Sequence, residues 1–103
     1  MIEITAQPAV ARDFRYCSQS KDAARSAASN IAEGFGRFHH RDFARFLRIA
    51  IGSLQEVRDL LIDGHERGYV DEIQLARGIR LAKRSKAACA ALAVYLDRTP
   101  DAR

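Results

Sequence analysis

The sequence predicts an all-α protein: an antiparallel up-and-down helical bundle of three long helices, preceded at most by a short N-terminal one, and assembled into an oligomer. Two observations carry this. Apolar residues recur at three- and four-residue spacing through three successive segments, as in helices with one buried face. β signals are nearly absent, with only residues 1–5 reading as a short extended piece. With 103 residues and 48% hydrophobic composition, the chain fills one domain, 1–103, and is too short for two.

The first long helix is expected over residues 8–33. Pro8 suits a first turn, where its missing N–H is not needed. Val10, Phe14, Cys17, Lys21, Ala24, Ala28 and Ile31 keep 4-3 spacing, with Lys21 the one exception. Dense alanine favours helix and lets neighbours approach closely. A break is expected near residues 18–20. Gly34 and Gly36 are expected to end the helix in the left-handed conformation that glycine accepts.

The second is expected over residues 41–67. Phe43, Leu47, Ala50, Leu54, Val57 and Leu61 keep strict 4-3-4-3-4 spacing, and Phe46, Ile49, Ile51, Leu60 and Ile62 widen the stripe. Such a helix spans about 40 Å. One small subunit can hardly cover all those faces, so a partner helix from another subunit is expected. Gly68 reads as the C-terminal cap, with Tyr69 and Val70 folding back on the last turn.

The third is expected over residues 72–97, with Asp71 as N-cap and Gln74 as its capping-box partner. Leu75, Ile79 and Ala82 face inward and a basic cluster faces outward. Residues 87–96 are apolar all round, which implies burial on more than one side. Gly52 and Gly78 sit inside helices, where glycine costs about 1 kcal/mol relative to alanine. The expected return is close helix–helix approach.

Composition excludes several classes. The longest uncharged stretch, 87–96, is far short of the ~20 apolar residues that span a bilayer. The start has no basic flank and no long apolar run, so no secretory signal is expected, and a cytoplasmic location is. Cys17 and Cys89, 72 positions apart, make no disulfide framework and read as small buried hydrophobes. The net charge of +4 is unevenly spread: +1 over 1–38, zero over 39–68 and +3 over 69–103. In an oligomer that excess multiplies, which points to a polyanion partner.

Two basic patterns are candidates for phosphate contact. Arg37, Arg41, Arg45 and Arg48 fall along one side of the turn and second helix. Arg77, Arg80, Lys83, Arg84 and Lys86 run without an acid between them. A row of cations neutralises successive phosphates, and planar guanidinium suits phosphate forks. The competing reading is a solvated face, with Asp42 pairing Arg45.

Asn30, Glu33 and Arg37 recur at helical spacing and are expected to form a structural polar network rather than a ligand site. The Gly34–Gly36 pair is no nucleotide fingerprint, since no strand precedes it and a third glycine is missing. His39, His40 and His65 do not fall at metal-ligand spacing with Cys or carboxylate, so no metal is expected. Ser53 and Glu56 lie one turn apart without a histidine, so no catalytic set is expected, and Glu56 is expected to pair with a basic side chain.

Residues 30–37, Asn-Ile-Ala-Glu-Gly-Phe-Gly-Arg, are followed by 46–56, Phe-Leu-Arg-Ile-Ala-Ile-Gly-Ser-Leu-Gln-Glu, and by 67–70, Arg-Gly-Tyr-Val. Over roughly residues 18–98 this resembles the bacterial four helix bundle protein family. That family includes the protein encoded in 23S ribosomal RNA intervening sequences, and a related branch holds the accessory protein of diversity-generating retroelements. The resemblance implies a non-enzymatic bundle, without cofactor, that assembles into a ring-like homo-oligomer, a pentamer. In the retroelement branch a basic surface serves RNA and a protein partner. Asn30, Glu33, Gly34, Gly36 and Arg37 match the family's signature turn, Gly52, Ser53 and Glu56 its second-helix signature, and Gly68 the glycine that follows. Two departures stand out. The chain has no Trp and only about seventeen residues before the match, so three long helices are expected to complete the bundle through neighbours. His39 replaces the usual serine ahead of the second helix, a weaker N-cap.

The expected function is RNA binding through the two basic patterns, non-enzymatic and electrostatic, with no membrane role. The alternative is a structural adaptor oligomer that binds a partner protein.

Overall fold

The computed structural model describes residues 1–101, so the last two positions of the expected 1–103 domain lie outside the described residues. Five helices follow one another: α1 (Ile2–Thr5), α2 (Pro8–Ala11), α3 (Phe14–Phe35), α4 (His40–Glu66) and α5 (Glu72–Arg98). Among the described residues there is no strand. The stretch 1–5 is a single helical turn rather than an extended piece, closed by the Thr5 N–H on the Met1 carbonyl at 3.0 Å.

Asp13 divides the first expected helix. Its Oδ1 accepts the Tyr16 N–H at 3.0 Å and caps α3, so the chain breaks at 12–13 and not at 18–20. A short acidic side chain satisfies an orphan N–H best outside a helix, which is why the break falls there. The face that α3 turns to its neighbour is Tyr16, Ser20, Ala23, Ala27 and Gly34. It is rotated from the predicted stripe, leaving Phe14 and Lys21 exposed.

Gly34 and Gly36 are not left-handed; among the described residues only Gly68 has positive φ, at 80°. Gly34 serves close approach instead. A Cβ there would lie 2.9 Å from Phe43 Cδ1 and from Phe46 Cβ.

The α4 stripe is as the spacing predicts, with Leu47, Ala50 and Leu61 buried and Phe43, Leu54 and Val57 half-buried. Its C-terminus closes in the expected way: the Gly68 N–H bonds the His65 carbonyl at 3.1 Å and the Tyr69 N–H bonds the Gly64 carbonyl at 2.8 Å. Asp71 and Gln74 form the capping box of α5. Gly78 lets α5 approach α4, since its Cβ would fall 2.6 Å from Leu61 Cδ1. Gly52 does not do the same: a Cβ there meets nothing within 4 Å.

Neighbouring helices run antiparallel. From end to end of α3 and α4, Tyr16 reaches Leu60, Ser26 reaches Ser53 and Phe35 meets Phe43. Along α4 and α5, Leu61 lies at Gly78, Gln55 at Lys86 and Arg48 at Asp97. α4 is the middle layer; α3 and α5 flank it and do not meet. The helices therefore form a thin slab, 52 × 22 × 15 Å. One core joins Ile4, Val10, Tyr16, Cys17, Leu61 and Val70, where α1 and α2 rest on the long helices. The other joins Ala44, Leu47, Cys89, Ala93 and Leu96. The expected many-sided burial of 87–96 is not met within the chain: Leu92, Val94 and Tyr95 are exposed because no helix lies beyond them. Among the described residues no helix is long and apolar enough to cross a membrane.

Candidate nucleic-acid interface

The four arginines of the first pattern each have a different environment. Arg37 follows the end of α3 and reaches back to Glu33 Oε1 at 2.7 Å. Arg48 is paired with Asp97 across the α4–α5 contact. Arg45 makes no ion pair with Asp42. Its guanidinium lies over the Phe46 ring at 4.6 Å, and that of Arg37 lies over the same ring at 4.9 Å. A guanidinium held on a ring face keeps its N–H edge available to an anion. Arg41 has no acidic partner among the described residues. Arg41, Arg45 and Arg48 line an open depression of about 590 Å³ with Asp42, Ile49 and Asp97.

The second pattern is less neutralised. Arg77, Arg80, Lys83 and Arg84 are exposed, and none has a carboxylate within ion-pair distance among the described residues. Arg77, Arg80 and Arg84 share the face of α5 that turns away from α4, over about 10 Å of axis. Lys86 points back toward α4, where its Nζ donates to Gln55 Oε1 at 2.7 Å. The two patterns do not converge. Arg48 stands at the level of Asp97, about 20 Å along α5 from Arg84.

Of the residues Asn30, Glu33, Gly34, Gly36, Arg37, Gly52, Ser53 and Glu56, Gly34 and Ser53 meet the facing helix and Asn30 supports that contact from within α3. Asn30 Nδ2 donates to the Ser26 carbonyl at 2.8 Å and lies 3.2 Å from Ser26 Oγ, which is 2.7 Å from Ser53 Oγ. Ser53 thus ties the second-helix signature to the turn, and Gly34 supplies the close contact at Phe43 and Phe46. Gly36 caps α3 with its N–H on the Ala32 carbonyl. Glu56 is exposed and makes no ion pair among the described residues, because its side of α4 faces away from both neighbours.

Sequence reasoning missed two junctions. Asp13 Oδ2 accepts from Arg67 at 3.1 Å and from the Tyr69 hydroxyl at 2.8 Å, joining the start of α3 to the end of α4. The Tyr16 N–H and the Tyr69 hydroxyl hold its carboxyl below the usual aspartate range. An acid three residues before the first buried aromatic was the readable signal.

At the other end Asp101 replaces the missing N-cap of α4. Its Oδ1 accepts the His40 N–H at 2.7 Å and its Oδ2 lies 2.8 Å from His39 Nδ1. His40 Nδ1 donates to the Thr99 carbonyl at 2.8 Å. The hydrogen bond and charge of Asp101 raise the pKa of His39, while the His40 N–H and His39 lower that of Asp101. This junction joins residues 61 positions apart, and nothing local in the sequence marks it.

No curated protein and no solved structure matches the chain. A family model described as 23S rRNA-intervening sequence protein matches residues 1–90, a span that takes in the α3–α4 brace, the Gly68 turn and the basic face of α5. The chain belongs to the family of 23S rRNA-intervening sequence proteins.

Proposed function

We propose that this chain is a non-catalytic, cytoplasmic RNA-binding protein that works as a homo-oligomer, a pentameric ring. The observation that carries the reading is the basic run of α5, where Arg77, Arg80 and Arg84 on the outer face and Lys83 on its flank stand exposed without a carboxylate partner among the described residues. Arg41 and Arg45 add a second contact at the far end of the slab. Arg37, Arg48 and Lys86 are already engaged within the chain and contribute less. Contacts of this kind go to phosphate and carry no sequence information. Membership in a family named for an intervening sequence of ribosomal RNA supports an RNA context.

A salt titration tests it. Four contacts to single-stranded RNA predict that affinity falls by about 150-fold between ~50 and ~300 mM salt, from about 0.7 log-log slope per contact. Fluorescence anisotropy with an RNA oligonucleotide reads this directly. Affinity that stays level across that range, or a triple variant Arg77→Gln, Arg80→Gln, Arg84→Gln that binds as the native chain does, overturns the reading. A second reading, an adaptor that binds a partner protein, draws on the exposed apolar residues of α5.

A further inference from the structure

We propose that the second half of α5 from one copy lies in a groove between α3 and α5 of the next copy, so that each bundle receives its fourth helix from a neighbour. The proposal rests on the self-assembly part of the reading above and not on RNA binding.

Each long helix turns one continuous face toward this groove, and α1 and α2 cover only one end of it. On α3 the face begins at Cys17, whose Sγ approaches the Val10 and Thr5 carbonyls at 3.3 and 3.9 Å. It continues uncovered through Ala24, Ala28, Ile31 and Phe35, the last 78% exposed. On α5 it begins at Leu81 and Ser85, which line a depression of about 270 Å³ beneath Met1 and Ile4. The same 4-3-4 spacing carries it on through Ala88 and Leu92, both exposed. α4 supplies the floor, from Leu61 and Val57 under α1 to Phe43 at the open end.

The amount of surface points to a second copy. A compact monomer of 11.5 kDa exposes about 5,800 Å², whereas this chain exposes 7019 Å², an excess of about 1,200 Å². A stable pairwise interface takes about 800 Å² from each partner. The radius of gyration, 15.5 Å against about 12.8 Å for a compact chain of this length, says the same of its shape.

The chain also carries what the groove requires. Ala87, Ala91, Val94 and Tyr95 form an exposed apolar stripe on the far side of α5 from its own core. Alanines on the stripe and on the α3 wall permit close packing of helix on helix. Groove and inserted stripe are different surfaces, so the contact is head-to-tail, the type that builds a ring when the rotation between copies closes.

Two variants test this, each at a position where the single chain has room for a longer side chain. Ile31→Lys blocks the groove and Ala91→Lys blocks the inserted stripe. Light scattering on a sizing column should give the native chain as a multiple of 11.5 kDa and each variant alone as a monomer, with helicity by circular dichroism retained. Mixing the two variants should restore one productive contact and give a species of twice the monomer mass, since one brings an intact groove and the other an intact stripe. A monomeric native chain overturns both this proposal and the assembly reading. An oligomeric native chain whose mass neither variant changes, or variants that stay monomeric when mixed, overturns the proposal alone.

Discussion

Two helical glycines, Gly34 and Gly52, should respond to the same substitution with opposite signs. Gly34 and Gly52 both lie inside helices, where replacing glycine by alanine gains about 0.5–1 kcal/mol from backbone entropy. At Gly52 nothing stands within 4 Å of the added Cβ, so that gain should appear undiminished. At Gly34 the new Cβ falls 2.9 Å from Phe43 Cδ1 and Phe46 Cβ, and 3.3 Å from the Phe43 carbonyl oxygen. Carbon atoms pack at about 3.5–4.0 Å, so α3 and α4 must part by about 0.6–1 Å. Phe46 Cβ is fixed to the backbone and cannot swing aside. Overpacking of this kind costs about 1–3 kcal/mol, which outweighs the entropy gain and leaves a net loss of about 1–2 kcal/mol. With about 4–8 °C per kcal/mol for a domain of this size, Gly52→Ala should raise the melting temperature by about 2–8 °C, and Gly34→Ala should lower it by about 4–16 °C. Thermal unfolding followed by circular dichroism, at one protein concentration for all samples, reads both. A Gly34→Ala protein as stable as the native chain would refute the reading of Gly34 as the close contact of a brace.

The junctions found only in the structure make further predictions. Asp101→Asn should lower the melting temperature most between about pH 4 and 6.5. The Asp101 carboxyl is held below its ordinary 3.8, so its contribution is present above that value and is lost as pH falls through the lowered pKa. His39 is held above 6.5, so its contribution is complete below 6.5 and is lost as pH rises through the raised pKa; a native-minus-variant difference that stays flat with pH contradicts this. Asp13→Ala removes the cap of α3 together with the Arg67 and Tyr69 contacts, and should expose the α1–α2 segment to limited proteolysis before α4 and α5. Tyr16→Phe should cost about 0.5–1.5 kcal/mol through the lost bond to the Leu60 carbonyl, read by denaturant unfolding.

The sequence disclosed much of what rests on local chemistry, though not the Asp13 cap of α3. The α4 stripe, the Asp71–Gln74 box and the left-handed Gly68 follow from spacing and capping rules within a few residues. The α3 stripe expected from the spacing lies one face away from the buried one, because alanine and serine are poor markers of burial: the small side chains at Ser20, Ala23 and Ala27 face α4, while the larger Ile31 and Phe35 stay exposed. Gly34 was legible as special but not in kind, since close approach and a left-handed turn leave the same mark on a sequence. In the candidate site, charge was legible and pairing was not. Arg48 finds Asp97 and Lys86 finds Gln55 only when α5 folds back along α4, so the free cations at 77, 80, 83 and 84 could not be told from their engaged neighbours.

The most direct measurement is light scattering on a sizing column, with absorbance at 260 and 280 nm recorded across the same peak, at low and at high salt. An oligomer of the 11.5 kDa chain with excess absorbance at 260 nm, which high salt strips away while the mass of the protein ring stays, is the predicted result. A monomer, or an oligomer free of nucleic acid at low salt that takes up no added RNA, would contradict an RNA-binding ring.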